Sequence, residues 1–224
     1  MLVGLTSCRS HSKPAPQHTH AAPRPAPAAR PTSPPPTYQP PPPPQAAAQP
    51  VPRPDAAWVP NGGIISPRWT TIVIHHSATD RGSASSFDKD HRGRGWDELG
   101  YHFVIGNGRG TPDGHIEVGT RWHKQKHGAH CKTANNYYNE HGIGICLVGD
   151  FTKSKPTARQ MASLERLVEF LSAKCRIRPD RVTTHGLVTG RTACPGRHFP
   201  IQALRRSLFA SAAAGLPAGA GTTK

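Results

Sequence analysis

The sequence predicts a mixed α/β domain over residues 61–210, with a central mixed β-sheet flanked by helices. Three observations carry this. Short apolar runs rich in β-branched residues recur near 70–76, 100–105 and 143–149, and runs of that length read as buried strands. Beyond them Met161, Leu164, Leu167, Val168 and Leu171 recur at helical spacing and give one apolar face. Strands separated by helices, with some hairpin-like neighbours, call for a mixed sheet with helices packed on it.

Taken in order, the chain opens with Leu5-Thr6-Ser7-Cys8, similar to a lipobox, in which the cysteine becomes a lipidated N-terminus. Residues 1–10 lack a charged n-region and most of an apolar h-region, so either the natural start lies upstream or the match is chance. Residues 11–60 are rich in Pro and Ala, with Pro41 to Pro44 in a row. Such a segment lacks the apolar content to pack, and reads as a disordered linker held extended by proline. At about 3.1 Å per residue it would reach on the order of 100 Å. Within the domain, a strand ends at His75-His76, and Ser83 starts a short helix running to about Arg94. A second strand carries Tyr101 to Ile105, Gly106-Asn107-Gly108 breaks it, and a third covers 115–118. Residues 123–141 read as irregular, and 143–149, the most apolar segment, as a central strand. Thr157 and Gln160 form a capping box for the amphipathic helix. A last strand over 181–184 delivers His185 at its end, and Pro200 to Ala214 reads as a closing helix stopped by Gly215, although the domain bounds end at 210. Residues 211–224 read as a disordered tail.

Lys and Arg number 28 against 13 Asp and Glu among 224 residues, a formal charge of +15. Only five of those basic residues and one acidic residue precede residue 58, so about +11 belongs to the domain. A surface this basic favours polyanionic partners. No Lys/Arg-rich helix or aromatic-interleaved basic strand points to nucleic acid, which is not expected as a partner. No run of about 18 apolar residues exists, so no membrane-spanning helix is predicted. The five cysteines, at 8, 131, 146, 175 and 194, form no C-x-x-C pair. Cys146 reads as a buried core thiol, and pairing of Cys131 with Cys175 is left open.

Chemistry concentrates at His75-His76, at Thr184-His185, and at Thr192-Ala193-Cys194-Pro195-Gly196. Strand alternation puts the two adjacent histidines on opposite faces, so one at most points into a given site. Two imidazoles and a thiolate from three separate places would close three corners of a tetrahedral zinc site, leaving the fourth for water. Spacing alone does not establish that site.

Residues 69–199 do more. Ile72-Val73-Ile74-His75-His76-Ser77, His91-Arg92-Gly93-Arg94-Gly95-Trp96-Asp97-Glu98-Leu99-Gly100-Tyr101-His102-Phe103 and Gly114-His115-Ile116-Glu117-Val118-Gly119 come first. Gly128-Ala129-His130, the segment Gly142 to Phe151, and Thr192 to Gly196 follow. In this order they resemble the zinc N-acetylmuramoyl-L-alanine amidases related to peptidoglycan recognition proteins and phage amidase-type lysozymes. The resemblance implies that family's fold and hydrolysis of the amide between N-acetylmuramic acid and L-alanine in peptidoglycan. It implies zinc (Zn2+) on His75, His185 and Cys194, a catalytic Tyr101 facing the metal, and His130 in the substrate groove, with Asn135 or Asn136 nearby. Thr192 stands where some members carry a catalytic Lys, and other active members also have Thr there. The interval from His185 to Cys194 is one residue longer than is usual, and the Arg-Asp that commonly follows the histidine is missing.

Further expectations are a monomer bound to peptidoglycan, located in the cell envelope, with a lipid anchor to the membrane through Cys8. The competing reading is a peptidoglycan-binding module without hydrolysis, which the presence of Cys194 disfavours. His76, His102 and His115 are expected to be structural or exposed.

Overall fold

A computed structural model of the chain describes residues 56–214. The expectations for Cys8, for the proline-rich segment up to residue 55 and for 215–224 lie outside the described residues. Five strands form one sheet: β1 (Thr71–His76), β2 (Phe103–Ile105), β3 (Ile116–Val118), β4 (Gly142–Leu147) and β5 (Val182–Thr184). Their order is β3-β2-β4-β1-β5. β2 and β3 pair antiparallel, and every other neighbour is parallel. The mixed α/β architecture is therefore as the sequence predicts. Six helices accompany it: α1 (Ala84–Gly93), α2 (Thr120–His123), α3 (Tyr137–Glu140), α4 (Ala158–Cys175), α5 (His185–Thr189) and α6 (Ile201–Ala214).

Alternation along the strands gives the sheet two different faces. Ile72, Ile74, Phe103, Ile105, Ile143, Ile145, Leu147 and Val182 join the α4 residues Leu164, Leu167, Val168 and Leu171 in the main core. Those four α4 side chains are fully buried, and each contributes about 1.5–3 kcal/mol through area removed from water. The opposite face holds a smaller cluster, in which Val104, Cys146 and Val148 meet Phe87 of α1 and Leu99. His75 follows Ile74 and so emerges on this second face, at the carboxyl end of β1.

Capping is legible in the sequence and present in the fold. Ser83 accepts from the Ser86 amide, and Thr157 from the Gln160 amide at 3.0 Å. Gln160 also donates from Nε2 to the carbonyls of Ile105 and Val148, tying α4 to the ends of β2 and β4.

Four boundaries differ from expectation. Residues 56–60, placed in the linker, belong to the folded unit, because Trp58 is buried at 3% exposure and its carbonyl accepts from Trp122 Nε1 at 2.8 Å. Residues 211–214, left to the tail by the domain bounds, continue α6 to Ala214, where the closing helix is expected to end, and Ser211 Oγ donates to Glu169 Oε1. The second strand starts only at Phe103, so Tyr101 lies in the segment leading into it. The irregular stretch 123–141 contains the single-turn helix α3 and follows another, α2. Elements this short carry too few residues to show a period.

Candidate metal centre

The register of the sheet assembles the centre. In the parallel β1–β5 pair, Ile74 stands opposite Thr184, which brings the next residues, His75 and His185, side by side at one sheet end. His185 is the first residue of α5, a helix that the sequence pattern does not reveal, and Thr184 caps it by accepting from Leu187 N at 3.3 Å. Cys194 arrives on the following loop. Gly186 N donates to the Cys194 carbonyl at 2.7 Å, and His76 N points at Cys194 Sγ at 3.4 Å. Gly196 turns that loop with φ +106°, and a Cβ there would lie 2.2 Å from the Phe151 carbonyl carbon. Only glycine meets both demands.

One ligand-capable atom from each of His75, His185 and Cys194 lies within 4.8 Å of the others. His75 Nδ1 stands 3.8 Å from Cys194 Sγ. Zinc bonds of about 2.0–2.3 Å would set tetrahedral ligand separations near 3.5 Å, so small side-chain adjustments would suffice. The donor set of two nitrogens and one sulfur also suits zinc rather than magnesium or calcium. Burial, then the nearby His130 and His185, keeps His75 neutral, and burial lowers His185 as well. A neutral imidazole has a lone pair to offer. Burial pushes the Cys194 thiol up to about 11, against the opposing His76 N–H. Such a thiol is a poor nucleophile at neutral pH, whereas a bound cation would deprotonate it. The geometry and chemistry therefore fit a metal ligand better than a cysteine nucleophile.

Tyr101 sits beside this cluster, its ring centroid 5.2 Å from that of His75. Burial, then the neighbouring Cys146 and Cys194, raises its hydroxyl well above the usual range, so it stays a proton-bearing donor. His91 supports the segment behind it: Nδ1 accepts from Gly100 N at 3.0 Å, and the ring lies against Trp96 and Tyr101. The sequence assigns His91 no role, because a histidine on a short polar helix carries no periodic signal. Thr192 is exposed, and its Oγ1 accepts from Cys194 N at 3.2 Å, so it shapes the ligand loop.

His130 is placed otherwise than expected. It is 7% exposed, with Nδ1 at 3.1 Å from His75 Nε2 and Nε2 at 3.1 Å from the Gly142 carbonyl. Both ring nitrogens are thus engaged within the protein, and none is left for a substrate. Its loop is clamped by Asn139 Oδ1, which accepts from the amides of His130 and Cys131. Asn135 is exposed and uses Oδ1 on the Thr133 hydroxyl and the Tyr137 amide. The structural readings of His76 and His102 agree with their environments. His76 Nδ1 accepts from Phe151 N, while His102 spans Gly144 N and the Lys126 carbonyl. His115 is exposed, Cys146 is buried, and Cys131 and Cys175 are both free thiols.

A cleft of about 430 Å³ is lined by Lys132, Thr133 and Ala134 together with Val188, Thr189 and Arg191. Lys132 lies two residues after His130, and Arg191 three before Cys194. Neither cation has an acidic partner among the described residues.

A mixed sheet that gathers His, His and Cys at its carboxyl end, with a half-buried tyrosine alongside, defines an α/β domain with a candidate site for one metal ion. Residues 66–197 match the family model described as N-acetylmuramoyl-L-alanine amidase, and the chain belongs to that family. It is 29% identical over 173 residues to a peptidoglycan-recognition protein of Drosophila simulans, covering 69% of this chain and 85% of that one. It is 35% identical over 118 residues to the endolysin of Enterobacteria phage T3, covering 48% and 71%. The N-acetylmuramoyl-L-alanine amidase of Sus scrofa is 29% identical over 104 residues, 46% of this chain and only 16% of that protein. Among solved structures, the N-acetylmuramoyl-L-alanine amidase LysC from Clostridium intestinale URNW superposes with a TM-score of 0.56 at 30% identity, covering 63% of this chain and 86% of that one. The expected fold and family are both found.

Proposed function

We propose that the protein is a zinc hydrolase that cleaves the amide between N-acetylmuramic acid and L-alanine in peptidoglycan. The observation that carries the proposal is the convergence of His75, His185 and Cys194 beside Tyr101. Amidase-named and peptidoglycan-recognition relatives support the same substrate class. Zinc held by the three side chains would supply Lewis-acid polarisation of the scissile carbonyl and acidify water. Tyr101, kept protonated by its burial, donates to the carbonyl oxygen as negative charge builds there. Thr192 is a weaker candidate for the same task, since its hydroxyl is exposed and water can stand in for it. The cleft that Lys132 and Arg191 line would receive the stem peptide, the two cations pairing with its carboxylates.

The test is mass spectrometry of peptidoglycan after incubation with the full chain, with zinc content measured in parallel. Stem peptides with a free L-alanine amine should appear, and should vanish with a zinc chelator and return with zinc. Protein that carries one zinc and is retained on sacculi, yet releases no stem peptide, would be a recognition module instead.

A further inference from the structure

We infer that His130 is a positioning residue of the metal centre: its ring fixes the tautomer of His75, so that Nδ1 is the nitrogen presented to His185 and Cys194. This rests on the metal-centre reading above, and a count of protons along three groups carries it. The Gly142 carbonyl can only accept, so His130 Nε2, at 3.1 Å, carries the proton of that neutral ring. His130 Nδ1 is then a lone pair, and it faces His75 Nε2 at 3.1 Å. Two lone pairs at that distance would repel, so His75 carries its proton on Nε2. His75 Nδ1 is left bare, and it is the atom that lies 3.8 Å from Cys194 Sγ.

The seat for this ring is built into the backbone. A Cβ on Gly144 would stand 2.3 Å from His130 Cδ2, and a Cβ on Gly128 would stand 2.4 Å from the same atom. Any larger residue at either place would drive the ring from the sheet face. Gly144 lies in β4 and its amide is held by His102 Nδ1 at 2.9 Å, while Asn139 clamps the His130 backbone. A histidine gripped on both nitrogens and wedged over two glycines is placed for orientation. Outer partners of this kind typically affect metal affinity by about 10–100-fold.

The experiment uses the full chain as wild type, His130→Ala, His130→Gln and Gly144→Ala. Zinc affinity is read by competition with a chromophoric chelator, and KM and kcat on a soluble muropeptide at saturating zinc. Histidine nitrogen NMR of the zinc-free wild type reads the tautomer without any substitution. His75 should carry its proton on Nε2. Zinc Kd should rise about 10–100-fold in His130→Ala and in Gly144→Ala. It should rise less in His130→Gln, whose amide can both donate and accept, and KM should hold within about twofold once zinc saturates. A His75 proton on Nδ1 overturns the inference. So does an unchanged zinc Kd with raised KM in His130→Ala, which would make His130 a substrate contact. If the wild type binds no zinc, the metal-centre reading falls, and the NMR result still decides the His130–His75 link.

Discussion

At the scale of single residues, the proposed function separates metal binding from chemistry. Cys194→Ser should lose zinc and activity together, because a neutral hydroxyl replaces neither the charge nor the softness of a thiolate. Tyr101→Phe should keep its zinc and its fold while kcat falls about a hundredfold to a thousandfold, with KM little changed. Thr192→Ala should cost far less, since an exposed hydroxyl is a weaker donor than a placed phenol and water can replace it. Metal analysis and steady-state kinetics on the three variants check this. A fully active Tyr101→Phe beside a dead Thr192→Ala would reverse the two roles, and stoichiometric zinc in Cys194→Ser would displace the site.

Between elements, the segment that carries Tyr101 depends on a buried polar junction with α2. Arg121, 1% exposed, donates to the Leu99 and His127 carbonyls and pairs with Asp97. Glu98, 2% exposed, takes the Thr120 hydroxyl and the ammonium groups of Lys124 and Lys126. Burial alone would raise the Glu98 carboxyl, but the hydrogen bonds from Thr120, Lys124 and Lys126 outweigh it and bring it to about 2. A carboxylate depressed in the folded state adds stability above its ordinary value near 4.5, and that stability is lost as pH falls toward 2. Melting curves from pH 7 to pH 2 should therefore show Glu98→Gln starting lower, by roughly 5 °C for a loss of about 1.5–3 kcal/mol. Its further decline below pH 5 should be shallower than that of the wild type. Parallel curves for the two proteins would mean that Glu98 is not held as described.

Over the whole molecule, charge and chain organisation bear on where the domain works. A net +15 suits an acidic wall polymer, and the basic excess lies mostly in the domain. No helix among the described residues is long and apolar enough to cross a membrane. We propose a cell-envelope location, with Cys8 lipidated and the proline-rich segment letting the domain reach its substrate. Several acyl chains on one residue anchor stably where a single chain does not. Metabolic labelling with a fatty acid in the natural host should mark the wild type and leave Cys8→Ser unmarked. Equal label on both would remove the anchor and leave the domain's chemistry as it stands.

Much of this protein was legible before any fold was known. Residue patterning determined the strands, the capped α4 with its apolar stripe, and the opposite facing of His75 and His76, because periods of 2 and 3.6 are local properties of the chain. Ordered motifs carried the family resemblance, and through it His75, His185 and Cys194 became the proposed ligand set. Helices of four or five residues escaped, including α5, on which His185 actually rides. Only the tertiary structure decided what His130 does. His130 lies 55 residues from His75 in the chain, and its partner in β4 is a backbone carbonyl that no side-chain pattern announces. The same holds for His91 behind Tyr101, and for the glycines that clear a place for the His130 ring. A contact across strands depends on register and on which atoms face each other, and neither is written in the order of residues along one strand.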